Sequence, residues 1–406
     1  MSIATSRSRA TRAVGNRWLA EIPENWSSTR LRFVCDVATG SGDTQDAEPD
    51  GDYDFFVRSP NPLRSTVFTF NTEAVLTAGD GAVGEIFHHV CGKFHAHQRV
   101  YVLTNFRGVM PRYFYYYFSS YFRLMAQDGS ARTTVDSVRR WMLTDMPFVL
   151  PPLDEQRVIA DYLDGETAQI DALVAKQQEF IGLLRERRAT VITAEFDSKV
   201  KGRLRHAIKF SQTGPFGTQL SANEYVENGV PVINPSHIKR GMMEPDLAIS
   251  VSCEKAAELS RHRLELGDIV LGRKGEVDKS ALVTKTEVGY ICGSDSMLLR
   301  PAAATVPSYL WWFFQSSAAH NQLERWSVGS TVAGLNQVTI SNVTVPLPSN
   351  SEQRRIVEHL NEQTNRIDAL IAKGEEHIAL AKERRSALIT AAVTGQFDVR
   401  TALKGT

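Results

Sequence analysis

The stretch HHVCGKFHAH at 88–97 holds the densest group of metal-type donors in the chain. His88, His89, Cys91, His95 and His97 offer imidazole and thiol at short spacing, the donor set that suits zinc. His95 and His97 share one face of a strand. A hairpin turning at Cys91-Gly92-Lys93 would instead set the group on cross-strand positions facing solvent or DNA, so no bound metal is expected. GEVDK at 275–279 has the acid and lysine of a nuclease tail, but Asp278 and Lys279 are adjacent, in the wrong register. SPNPL at 59–63 approaches the N-P-P-aromatic motif that grips an extruded adenine, without its second proline or its aromatic. No Gly-rich strand-to-helix turn suggests an S-adenosylmethionine pocket, and no G-x(4)-G-K-[ST] would hold ATP. These residue patterns support an absence of catalysis within the chain.

The elements that would position such residues are written twice. QIDALVAKQQEFIGLLRERRATVITAE at 169–195 returns as RIDALIAKGEEHIALAKERRSALITAA at 366–392, and a constant offset of 197 carries Glu155-Gln156-Arg157 onto Glu352-Gln353-Arg354. About half of the 40 positions from Glu155 to Ala194 are identical in the copy. Ile159, Leu163, Ile170, Leu173, Val174, Ile181, Leu184 and Val191 recur at helical steps, and Ile356, Leu360, Ile367, Leu370, Ile371, Ile378 and Leu388 carry the same stripe. Prolines precede each run, Asp154 and Ser351 stand at the expected N-caps, and Glu155 and Glu352 fall in the first turns. Some forty residues of helix span roughly 60 Å, and the narrow, partly polar stripe suits a coiled-coil seam.

The segments ahead of each helix read as short strands: VYVLTN at 100–105, PVIN at 231–234, DIVLG at 268–272 and ALVTK at 281–285. They repeat each other weakly. LRF at 31–33 answers LRH at 204–206, and the aromatic run PRYFYYYF at 111–118 answers PSYLWWFF at 307–314. Such rings could stack bases, but their position and the Trp/Phe replacement favour a core helix. RTTVDSVRRWMLTDMPFVLP at 132–151 answers GSTVAGLNQVTISNVTVPLP at 329–348. The expected fold class is α+β: two similar mixed α/β globules joined by two long antiparallel coiled-coil helices with pseudo-two-fold symmetry. The expected parts are a disordered leader 1–16, a first globule 17–150, a helix 151–200, a second globule 201–348, a helix 349–400 and a tail 401–406.

With 406 residues the chain exceeds one core, and 46 basic against 46 acidic residues announce no bulk polyanion partner. Any anion-binding face must be local. No apolar run is long enough to span a membrane, and the four scattered cysteines, never spaced C-x-x-C, fit free thiols in a reducing cytoplasm.

The arrangement resembles, over nearly the whole chain, the specificity subunit of type I restriction–modification systems. The matching pieces are IPENW at 22–26 with Arg30-Leu31, PPLDEQRVIADYLD at 151–164, LRERRATVITA at 184–194, PLPSNSEQRRIVEHL at 346–360, IDALIAK at 367–373 and ERRSALITAAVTGQFDVR at 383–400. The resemblance implies two target-recognition domains, each reading one half of a bipartite, asymmetric site on double-stranded DNA. It implies that the helices act as spacer and as docking platform for two modification (methyltransferase) subunits, which carry S-adenosylmethionine. A restriction subunit using ATP and Mg would join them. The other reading is a stand-alone bivalent DNA-binding regulator or adaptor.

Candidate DNA contacts in the first globule are Lys93, Arg132, Thr133, Thr134, Arg139 and Arg140. The equivalents of the last five are Gly329, Ser330, Thr331, Asn336 and Gln337. Arginine pairs bidentately with guanine and Asn or Gln with adenine, so this exchange is one way for a shared frame to acquire two specificities. His237, Lys239, Arg240, Arg273 and Lys274 are further candidates in the second globule. Docking candidates are the repeated Gln156, Arg157, Arg187 and Arg188 with Gln353, Arg354, Arg384 and Arg385. For the two Arg pairs, flanking Glu186 and Glu383 favour partner docking or pairing within the coil over a DNA patch.

Overall fold

Two helices of more than forty residues organise the chain, α3 over Leu153–Glu195 and α8 over Asn350–Val393. A computed structural model describes residues 10–16, 19–127, 137–197, 201–274, 276–277, 279–328 and 335–402. The chain divides into two compact units, residues 1–177 with 376–406, and residues 178–375. Each unit holds one globule and a part of both long helices. In each, those parts run antiparallel: in unit 1 Tyr162 meets Phe397 and Asp171 pairs with Arg385, and in unit 2 Arg188 pairs with Asp368 and Glu195 meets His359. The two Asp–Arg pairs are the same pair moved by the 197-residue offset.

In unit 1, β1 (Thr11–Asn16) pairs with β2 (Leu19–Pro23), and β3 (Ser27–Arg30) precedes the 3-10 turn Leu31–Phe33. The globule follows with β4 (Asp36–Thr39), β5 (Tyr53–Phe56), β6 (Leu63–Ser65), β7 (Phe70–Ala78), β8 (Phe87–Ala96) and β9 (Val100–Thr104). These six form one sheet in the order β4-β9-β7-β8-β5-β6, antiparallel except for β5 beside β8. Helix α1 (Pro111–Gln127), the short α2 (Arg140–Thr144) and β10 (Pro147–Leu150), paired with β3, lead into α3. The aromatic run is core: Tyr113, Phe114, Tyr117, Phe118 and Phe122 are buried with Phe148, Ile159, Leu163, Ile389 and Val393. Each such ring removed from water contributes roughly 2–3 kcal/mol.

The globule of unit 2 begins with β11 (Lys201–Arg203) and the 3-10 turn Leu204–His206. Its strands are β12 (Ile208–Thr213), β13 (Tyr225–Val226), β14 (Val230–Ile233), β15 (Ile238–Lys239), β16 (Met242–Met243), β17 (Ser250–Val251), β18 (Ile269–Gly272), β19 (Ser280–Leu282), β20 (Ile291–Cys292) and β21 (Ser296–Pro301), with α4 (Cys253–Glu258) between β17 and β18. They form two four-stranded sheets, β12-β21-β18-β19 and β13-β17-β14-β20, and the hairpin β15-β16. Helices α5 (Pro307–Phe314), α6 (Ser317–Val328) and α7 (Gln337–Ser341) and strand β22 (Thr344–Pro346), paired with β11, lead into α8, and α9 (Val399–Ala402) follows it. Tyr309, Leu310, Phe313 and Phe314 are buried with Ile192, Phe196, Ile356 and Leu360.

The α+β class with two long antiparallel helices is as expected, and several details are not. Thr11–Asn16, placed in a disordered leader, is strand because it finds a partner in β2. Asp154 and Ser351 lie inside the first turns rather than at the caps; for α8 the hydroxyl of Ser349 accepts from Glu352 N at 3.3 Å. Leu173 and Leu370, expected in the seam, are 52% and 48% exposed. Among the described residues no helix is long and apolar enough to cross a membrane.

Candidate nucleic-acid interface

The histidine-rich stretch does not turn at Gly92. Strand β8 runs through it, held opposite β7 from Phe87↔Thr77 to Phe94↔Phe70, with Gly92 facing Thr72. The long register outweighs the local turn signal of Gly92 and fixes each side chain. His88 lies against Ser59 O at 3.2 Å, and burial lowers its pKa. His89 meets Glu73 at 2.8 Å, while His95 contacts Thr69 at 3.1 Å and packs on the Phe55 ring. His97 Nδ1 accepts from Arg99 N at 3.0 Å, and burial again lowers its pKa. Each ring is thus taken up by a partner of its own, and among the described residues no three His, Cys, Asp or Glu gather to hold a metal. Lys93 stays at the surface, its ammonium 4.6 Å from the Phe68 ring centre.

Arg132, Thr133, Thr134, Ser330 and Thr331 lie outside the described residues. Arg139 and Arg140 are exposed at the start of α2. Their counterparts in the second copy serve the backbone. Asn336 Oδ1 caps α7 by accepting from Thr339 N at 2.9 Å, and Gln337 Nε2 donates to Ser211 O at 3.0 Å. This is what a short helix demands, since its first N–H groups lack intrahelical acceptors.

Among the other candidates of the second globule, His237 is buried with Nδ1 at 3.0 Å from Val232 O, which removes it from any surface. Arg273 is turned inward as well, donating to Leu335 O at 2.9 Å and Ser294 O at 3.3 Å, and so staples two loops. Lys239 pairs with Glu244 at 2.7 Å beside the tight turn Arg240-Gly241, where both residues have positive φ. Arg240 and Lys274 are exposed, with Asp295 3.7 Å from Lys274.

On the helices, four of the eight docking candidates are taken up inside the chain. Gln156 is fully buried: Oε1 accepts from Met110 N at 2.8 Å and Nε2 donates to Pro151 O at 2.8 Å. Gln353 does the same, accepting from Val306 N at 2.8 Å and donating to Pro348 O at 2.9 Å. A buried amide on a polar-looking helix bolts the helix start to the loop ahead of the aromatic helix. Arg188 pairs with Asp368 at 2.9 Å, and Arg385 grips both oxygens of Asp171 at 2.9 and 3.1 Å. Arg157, Arg187, Arg354 and Arg384 remain at the surface, Arg354 on Asn350 and Arg384 4.0 Å from Glu166.

What the sequence reading missed is apolar. Leu173 and Leu183 on α3, and their equivalents Leu370 and Leu380 on α8, are all exposed. All four are identical across the offset, a signal that could have been noticed, since leucine kept at a solvent-facing helix position needs a reason.

A family described as "Type I restriction modification DNA specificity domain" matches the chain over residues 23–180 and again over 216–379. The chain belongs to this family. Its similarity to individual specificity subunits is distant: 28% identity over 173 residues to that of the type I restriction enzyme EcoDI of Escherichia coli, covering 43% of this chain and 38% of the relative. The match thus spans well under half of that relative's length. Among solved structures, one from work on complex assembly and conformational transition of the type I R-M system superposes with a TM-score of 0.73, at 17% identity, over 93% of this chain and 99% of the other. The HsdS subunit of Thermoanaerobacter tengcongensis gives 0.51 at 18% identity, over 95% and 100%. At such identities these likenesses show a shared fold.

Proposed function

We propose that this chain is the DNA sequence-specificity subunit of a type I restriction–modification complex, reading a bipartite, asymmetric site with one globule for each half. The observation that carries the reading is the repeated frame under unlike globules: the same buried glutamine bolt and the same inter-helix ion pair occur in both units, while the sheets differ in strand number and order. A frame built twice for one protein needs two attachments, and globules free to differ read different sequences.

In this reading the chain carries no catalytic residue and binds no cofactor. S-adenosylmethionine belongs to two modification subunits, and ATP and Mg to a restriction subunit. Partner docking uses the exposed leucines, Leu173 and Leu380 in unit 1 and Leu183 and Leu370 in unit 2, with the outward Arg187 and Arg384. Exposed apolar surface rimmed by polar residues marks interaction sites, and Arg is among the residues that carry most binding energy.

Mapping methylated adenines across the genome of cells with and without this chain tests the function. The expected result is a two-part motif with a fixed gap that vanishes with the chain. A methylation map that does not change on its removal would overturn the reading and favour a stand-alone DNA-binding regulator.

A further inference from the structure

The junction between the first 3-10 turn of each globule and its last short helix is assembled the same way in both units. Leu31 N donates to Met146 O at 2.9 Å in unit 1, and Leu204 N donates to Val343 O at 2.8 Å in unit 2. Each junction is flanked by the same antiparallel strand pair, β3 with β10 and β11 with β22.

What the junction shows to solvent is positive in both. Unit 1 exposes Arg30, Arg32, Arg139 and Arg140; unit 2 exposes Arg203, Arg205 and Lys209. Arg30 and Arg32 return as Arg203 and Arg205, and although Arg139 and Arg140 have no cationic equivalents the sign of the surface is kept. Asp145, which lies 3.5 Å from Arg30 and 2.8 Å from Arg32, becomes Asn342, and Asp36 becomes Lys209. The exposed aromatic Phe33 becomes His206, and the exposed Trp141 becomes the exposed but much smaller Val338, so no aromatic anchor of the kind that centres a protein interface is common to both. Meanwhile Asn336 and Gln337, the equivalents of Arg139 and Arg140, are held by backbone groups and are poorly placed as base readers.

A feature common to two domains that read different sequences cannot hold the difference between them. On DNA the common element is the phosphate backbone, bound through Lys and Arg without regard to sequence, and such contacts fix register and orientation. We propose that this junction in each unit is a seat for duplex phosphates, a sequence-independent contact that orients the globule while bases are read elsewhere on it. The inference rests on the DNA-reading function proposed above and assigns the shared Arg30 and Arg32, with Arg203 and Arg205, to phosphate.

The test is binding of the full chain to two labelled duplexes of unrelated sequence over a series of KCl concentrations. Arg205→Gln with Lys209→Gln should weaken binding to both duplexes alike and flatten the log–log salt dependence by about 2, roughly 0.9 for each lost contact. Arg205→Lys with Lys209→Arg should keep the parent slope, which separates charge from folding. An unchanged slope in the Gln variant, while the parent binds, overturns the seat and leaves the reading function standing. Loss on one duplex alone also overturns it, in favour of base readout, and loss of association with methyltransferase subunits at unchanged slope gives the face to a protein partner. A parent chain with no affinity for duplex at any salt overturns the seat, while the methylation map above tests the function by itself.

Discussion

Unit 1 spreads six strands in one sheet, whereas unit 2 folds its strands into two sheets of four and a separate hairpin. Beneath them the attachments to the long helices are nearly superimposable in kind. Tyr113 Oη donates to Val149 O at 3.2 Å, and Tyr309 Oη donates to Pro346 O at 2.9 Å. Tyr116 Oη donates to Asp164 at 2.6 Å; in the other copy Trp312 Nε1 donates to Asn361 at 3.1 Å. Both members of that pair have changed together, hydroxyl to indole and carboxylate to amide, with donor and acceptor in the same places. A buried donor facing a fixed helix must find an acceptor, so the helix-facing side of each globule is constrained where the far side is not.

The largest test of this equivalence is Gln156→Leu against Gln353→Leu. Each leaves a part-buried backbone N–H without its acceptor, and each should cost about 1–3 kcal/mol in thermal or denaturant unfolding. A loss in one unit with none in the other would break the comparison. Tyr116→Phe and Trp312→Phe should each cost about 1–2 kcal/mol, and similar values would show that the tie matters more than its chemistry. Tyr116 adds a pH signature absent from the Trp copy. Burial, followed by its hydrogen bond to Asp164, raises its pKa from 10.0 to about 12. Because the folded value lies above the unfolded one, this stabilisation is complete below the unfolded pKa and is lost as pH climbs through about 12. Alkaline unfolding of the Tyr116→Phe chain should therefore lack that contribution.

Smaller effects are expected along the coil. Arg385→Ala and Arg188→Ala remove half-exposed ion pairs and should each cost about 0.5 kcal/mol, fading in high salt. Leu173→Ser and Leu370→Ser should move stability by less than about 0.5 kcal/mol and yet reduce co-purification with methyltransferase subunits. A normal complex from both variants would remove these leucines from the docking surface.

The sequence disclosed the frame more readily than the heads. A stripe at helical spacing, repeated with an unbroken offset, leaves little choice about the existence of α3 and α8. Short strands carry weaker patterns, and Gly92 shows why: an apparent turn residue sits mid-strand because eight consecutive residues of β7 face β8. Gln156, Gln353, Arg188 and Arg385 looked like surface because polar residues on a long helix usually are. Their roles depend on acceptors, donors and carboxylates 46 to 214 residues away, which periodicity does not encode. Burial of His237 likewise comes from a local 3-10 turn, Pro235–His237, that no periodic pattern announces.

The discontinuity of unit 1 bears on how the chain is made. Unit 2 is one unbroken segment, but unit 1 is finished only by residues 376–406, and Ile389, Ala392 and Val393 belong to its core. Gly395 then sits against Pro23 and Trp26, so closely that a methyl group there would come within 2.5 Å of the proline ring. On the ribosome the first globule must therefore wait, with its helix-facing rings open to water, until residues 376–406 have emerged. A stop codon near position 376 would spare the second globule, whose segment is already complete, and strip the first.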